Sequence, residues 1–229
     1  MARKKIIFVI VEGVSDESAL GVIFSRIFNK ENVYIYICHG DITTRTGNNT
    51  SNIITKVCEN IKGYSQQNHF KQLHFQEIIH IVDTDGAYIS NDLIIENTDL
   101  ADHNYLVNEI QTPSKTKITE RNKQKKENLN KLSTTSNIWN LPYSIYYMSC
   151  NLDHVLYDKM NSSDKAKEND AYQFAQKYKE DLNGFLNYIT KSDFAVKSTY
   201  SESWNFIKLD NNSLKRSSNL GLIFQDNNE

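Results

Sequence analysis

The sequence is poor in the residues that staple a chain covalently or through metal. Its three cysteines, Cys38, Cys58 and Cys150, are odd in number, far apart and form no CxxC pair. That argues against both a disulfide framework and a zinc site, and the three are expected as buried thiols. Proline stands only at positions 113 and 142, while Asn and Lys are abundant, a bias that fits an AT-rich coding sequence and carries no functional signal. The longest unbroken apolar run is Ile6 to Val11. A membrane span needs about 20 residues, so no membrane association is expected. No charged leader followed by a long apolar stretch and a small-residue cleavage site opens the chain, and a cytoplasmic location is therefore expected. The net charge of −2 neither invites nor excludes a polyanionic partner, because a local basic patch coexists easily with a neutral total.

What is present suffices for a core: 229 residues, 39% of them hydrophobic, with 13 Tyr, 10 Phe and 2 Trp. This size suits one α/β domain with an extension rather than a multi-module machine. Lys5 to Val11 reads as a strand buried on both faces. Glu12-Gly13-Val14-Ser15 follows, then a helix with Ala19, Leu20, Ile23, Phe24, Ile27 and Phe28 at helical spacing and Ser15 as its N-cap. A second strand is predicted at Asn32 to Cys38, a helix around Ile53, Ile54, Val57 and Ile61, a third strand at Glu77 to Val82 and a fourth at Tyr143 to Ser149. A short helix should begin near Asn151, and Ser163 to Lys191 reads as helical. Alternation of this kind predicts a parallel, Rossmann-like sheet flanked by helices, with ligands at the carboxyl ends of the strands. The organisation expected is a catalytic domain over 1–157, containing a basic insertion at about 112–136, and a mainly helical C-terminal extension over 158–229.

Acidic residues gather at two strand ends. Glu12 follows the first strand directly, and Asp83-Thr84-Asp85-Gly86 follows the third. Parallel pairing brings these three carboxylates to one edge of the sheet, with Gly86 permitting a sharp departure of the backbone. Oxygen-only ligands select hard cations, Mg²⁺ or Mn²⁺, and three crowded anions repel one another unless a cation sits among them.

The pair Phe8-Val-Ile-Val-Glu12-Gly13-Val-Ser-Asp16-Glu-Ser-Ala-Leu20 and Ile79-His-Ile-Val-Asp83-Thr-Asp85-Gly86 resembles the Toprim domain over roughly residues 4 to 110. The VEGxSD form is most similar to the overcoming-lysogenization-defect and phage-defence branch, whose members accompany ABC-type ATPases in abortive infection. The resemblance implies a Mg²⁺-dependent nuclease that hydrolyses phosphodiester bonds in RNA or DNA, with Glu12 as general acid or base and metal ligand. Asp83 and Asp85 would be the catalytic metal-holding pair, and Asp16 would match a further metal position. An ABC-type ATPase partner, a homodimer and a role in antiviral defence are part of what it implies. Topoisomerases of this family carry another acid two places after the second Asp, where this chain has Ala87, so a stand-alone hydrolase fits better than a topoisomerase.

Other residues keep two readings each. Asp16 is a metal ligand or an ordinary first-turn helix acid. His39 and Asp41, after the second strand, touch substrate or simply make the turn. Asp153 completes a metal shell or starts a helix. The run holding Lys115, Lys117, Arg121, Lys123, Lys125, Lys126 and Lys131 binds a phosphate backbone or forms a solvated insertion. Tyr34, Tyr36, Tyr143, Tyr146 and Tyr147 read as packing rather than base-stacking platforms. Outside nuclease chemistry, the acidic cluster could serve a non-catalytic binding or signalling module of receiver type, or mimic nucleic acid.

Overall fold

Ile6–Val11 offers solvent no polar position on either face, and the chain buries all of it as β1 (Ile6–Val11) in the computed structural model, which describes residues 5–28, 32–37 and 40–224. Burying each such side chain contributes about 1.5–3 kcal/mol, so β1 belongs where both of its edges and both of its faces are covered. It pairs in parallel with β2 (Asn32–Ile37), from Ile6 opposite Asn32 to Val11 opposite Ile37. On its other edge it pairs in parallel with β3 (Phe75–Asp83), from Ile7 opposite Glu77 to Ile10 opposite His80. The sheet continues through β8 (Leu141–Met148) to β7 (Asn137–Ile138), in the order β2-β1-β3-β8-β7, with β7 and β8 antiparallel. It is thus a mixed, mainly parallel sheet of an α/β, Rossmann-like protein.

The chain divides into two compact units, each assembled from three stretches: 1–82, 127–146 and 168–182 in the first, and 83–126, 147–167 and 183–229 in the second. The border expected at 157/158 falls inside the second unit.

The first unit contains the sheet, with helices α1 (Val14–Ile27) and α2 (Ile53–Gln67) as the crossovers. Helix α1 buries Ala19, Leu20, Ile23 and Phe24, and α2 buries Ile53, Val57 and Ile61. An aromatic cluster fills the core: the Phe8 ring centroid lies 5.4 Å from Tyr36, 5.1 Å from Tyr64 and 5.8 Å from Phe75. His80, fully buried in β3, has Nδ1 2.8 Å from the Tyr143 hydroxyl.

In the second unit the backbone leaving β3 runs beside 148–150: the amides of Thr84 and Asp85 donate to the carbonyls of Met148 and Cys150 at 2.9 and 2.8 Å. The Ser149 and Cys150 amides donate in turn to Ser217 and Ser213. A small sheet unseen in the sequence, β4 (Ile94–Glu96), β6 (Ile110–Thr112) and β5 (Asn104–Tyr105), in the order β4-β6-β5, packs Ile94, Tyr105 and Ile110 with Ile89, Ile118, Cys150 and Leu214. The remaining helices of this unit are α4 (Leu152–Tyr157), α6 (Leu182–Lys191), apart from its first residue, and α7 (Tyr200–Ile207). The segment expected as one helix over 163–191 is two, α5 (Asp164–Tyr178) and α6, separated by Lys179-Glu180-Asp181.

The expected basic insertion is a helix, α3 (Lys115–Ser133). Ile118, Asn122, Lys125, Leu129 and Leu132 along it are buried, a row at alternating spacings of four and three that marks one face of a helix.

Candidate functional site

At the end of β1, Glu12 leads into Gly13, the N-cap of α1, whose extended backbone (φ −137, ψ 167) hands the Gly13 amide to Asp16 Oδ2 at 2.9 Å. The helix therefore begins at Val14, with Gly13 rather than Ser15 as its cap. Asp16 is buried at 8% exposure, and its carboxylate neutralises an unpaired amide at the positive end of the helix.

The loop after β2 also organises itself. Asp41 Oδ1 accepts from the Thr43 amide at 2.6 Å and from the Thr43 hydroxyl, and Oδ2 accepts from Thr44 at 3.1 Å. Asn48 donates to the Ile42 carbonyl at 2.7 Å, and Asn128 donates to the Thr43 carbonyl at 2.7 Å. The loop shapes a cleft of about 270 Å³ lined by Ile42, Arg45, Thr46, Asn48, Lys56, Glu59 and Asn60, in which Lys56 pairs with Glu59 at 2.8 Å. His39 and Cys38 lie outside the described residues.

At the other strand end, Asp83 closes β3 and the chain turns at once: Asp85 (φ 49) and Gly86 (φ 65) are consecutive left-handed residues. Gly86 is required twice over, since a Cβ there would stand 2.6 Å from Leu214 Cδ2 and 3.0 Å from Ile110 Cδ1. The turn aims the Asp85 carboxylate at α3. Lys125 Nζ donates to Asp85 Oδ2, and the Tyr105 hydroxyl donates to Oδ1 at 3.2 Å. Arg121 donates to the Asp85 carbonyl at 2.9 Å, to the Tyr105 hydroxyl at 2.9 Å and to Asn122 Oδ1 at 2.7 Å, and Asn122 donates to the Gly86 carbonyl at 3.4 Å. The Lys125 side chain has no exposure at all, against 22% for Asp85.

Burial and the charges here shift the acidity of their neighbours. Burial, and after it the charge of Asp85, holds the Tyr105 hydroxyl well above its ordinary pKa, so it stays a donor. Burial, then Asp85 and Asp83, push the Cys150 thiol up as well, which removes it as a nucleophile. Cys58 is half-buried.

The basic run divides by helix face. Lys117, Lys123, Lys126 and Lys131 are exposed and Lys115 is half-buried, whereas Arg121 and Lys125 turn inward to the Asp85 turn. Asp153 is buried in the first turn of α4 with Lys167 Nζ 3.9 Å from Oδ2. The cap of that helix is Asn151, which accepts from the His154 amide at 2.9 Å. Arg216 is half-buried and donates to the carbonyls of His154 and Val155 at 3.1 and 2.8 Å.

Both Asp85 oxygens carry donors, one of them a cation, and among the described residues no three His, Cys, Asp or Glu side chains form a group that could hold a metal ion. As the side chains stand, Asp85 does not fit a resident Mg²⁺. The residues that sequence reasoning missed are Tyr105 and the inward role of Lys125 and Arg121. Their signal was the polar members Asn122 and Lys125 in the row through Ile118 and Leu129. No helix among the described residues is long and apolar enough to cross a membrane. Comparison with protein-family models, with curated proteins and with solved structures yields no match.

Proposed function

We propose that this chain is a Toprim-like hydrolase that cleaves phosphodiester bonds of RNA or DNA in the cytoplasm, as an effector of antiviral defence. The observation that carries the proposal is topological: β1 and β3 are adjacent and parallel, Glu12 comes directly off β1, and Asp83 is the last residue of β3. Ligands of parallel sheets sit at this carboxyl edge. In this reading Glu12 moves the proton and Asp83 is the carboxylate that would hold the ion, while Asp85 remains tied to Lys125. Mg²⁺ or Mn²⁺, when bound, would supply neutralisation of charge on the phosphoryl oxygens and an activated water. Lys117, Lys123 and Lys126, exposed on α3, are cations that would meet a phosphate backbone. An ABC-type ATPase partner and a homodimer belong to the same proposal.

The purified chain is incubated with RNA and DNA in Mg²⁺ or Mn²⁺, beside Glu12→Gln and Asp83→Asn. Cleavage that falls by about 10²–10⁴-fold in Glu12→Gln supports the reading, and cleavage unchanged in both variants ends it. A second reading, a non-catalytic acidic module of receiver type, is favoured by one observation, the ammonium of Lys125 on the Asp85 carboxylate. An acyl-phosphate donor labels Asp83 or Asp85 only under that reading.

A further inference from the structure

We infer that Lys125 is a built-in cation at Asp85, standing where the Asp-x-Asp pattern calls for a divalent ion, so that Asp85 is one half of a structural ion pair and not a resident metal ligand. The argument is confined to the second unit and does not depend on whether the chain cleaves nucleic acid.

Three observations converge on it. The Lys125 side chain is wholly enclosed, and its ammonium lies on Asp85 Oδ2. An enclosed ammonium must be paired. The remaining Asp85 oxygen accepts from Tyr105, whose hydroxyl is itself held by Arg121, and the same guanidinium binds the Asp85 carbonyl. The carboxylate and carbonyl of one residue are thus held from three directions. Finally, the turn is locked by Gly86, whose position against Leu214 and Ile110 admits no side chain. Shifting the backbone of this turn would unpack Ile110 and Leu214, both members of the unit's core. A divalent ion on Asp85 would lie near the Lys125 ammonium, like charge beside like charge, and would compete with the Tyr105 hydroxyl for the other carboxylate oxygen. The Asp85 carboxylate is accordingly balanced from within the chain by Lys125.

The test uses the full chain and no cleavage assay. Mn²⁺ binding, read by paramagnetic relaxation of water, should be the same in the wild type and in Asp85→Asn. Lys125→Met should melt at a lower temperature than the wild type, regain part of that loss on addition of millimolar Mg²⁺ or Mn²⁺, and bind Mn²⁺ about tenfold or more tightly than the wild type. Combining it with Asp85→Asn should abolish the metal response and restore melting, because the orphaned carboxylate is gone. Weaker Mn²⁺ binding in Asp85→Asn than in the wild type would overturn the inference, and that comparison stands even if Lys125→Met fails to fold. A Lys125→Met protein that folds and shows no gain in Mn²⁺ affinity would overturn it equally. Loss of nuclease activity in Glu12→Gln bears on the catalytic proposal alone and leaves these measurements untouched.

Discussion

Strand β1 and helix α3 bury their inward positions by opposite means. Every residue of β1 is apolar and enclosed, and its stability comes from area removed from water, which is non-directional. Helix α3 encloses Asn122, Lys125 and Asn128 beside Ile118, Leu129 and Leu132. Each of the polar three is answered by a particular partner: the Gly86 carbonyl, the Asp85 carboxylate and the Thr43 carbonyl. A burial of the first kind tolerates replacement by anything apolar of similar size. A burial of the second kind tolerates no change to one partner alone, because the other is left charged or unsatisfied away from water.

The contrast can be broken most sharply at Lys125. Lys125→Met should cost about 3–5 kcal/mol, the range for removing one member of a buried ion pair, and Lys125→Met with Asp85→Asn should cost less than the single change, measured by denaturant unfolding as a double-mutant cycle. In β1, Phe8→Ala should reach about 3–5 kcal/mol through lost area and a cavity, yet Ile10→Val only about 0.5–1.5 kcal/mol, and no partner substitution should rescue either. At the turn, Gly86→Ala should cost about 2–4 kcal/mol, combining left-handed strain with overpacking against Leu214. Its circular dichroism should remain that of a folded protein. Asn128→Ala follows, at about 1–3 kcal/mol for the orphaned Thr43 carbonyl.

The smallest effect is one of pH. Burial holds His154 below its ordinary pKa, outweighing the Ser149 backbone bond that raises it. The native ring is therefore neutral while the unfolded ring takes up a proton near pH 6.5. The folded state then binds fewer protons, so stability falls as pH drops through that value towards the lower folded one. Melting temperatures followed from neutral to mildly acidic pH should decline more steeply in the wild type than in His154→Gln.

Legibility followed the same division. The strands β1, β2 and β3 and the helices α1 and α2 could be read because their apolar periodicities are unmixed, and β8 and the Asn151 cap because Pro142 and Asn151 punctuate them. The β4-β6-β5 sheet could not, since strands of two or three residues carry no alternation to read. Helix α3 looked solvated because its inward row includes Lys and Asn, and the partner that makes such a row buriable lies far away in sequence: Asp85 is separated from Lys125 by 40 positions. Glu12 and the Asp83-Asp85 pair were visible as a motif. The occupation of Asp85 was not, because it depends on where Tyr105, Arg121 and Lys125 come to rest.

The interleaving of chain stretches has a consequence for synthesis. Ser213 and Ser217 supply the carbonyls that take the Cys150 and Ser149 amides, and the Ser213 carbonyl also accepts the Thr84 hydroxyl at 3.0 Å. These acceptors are made well after the turn, Ser213 lying 129 positions beyond Thr84. The turn that presents Asp85 must wait for them, so the acidic end of β3 acquires its final shape only after that later stretch has been made, whatever the sheet has already achieved.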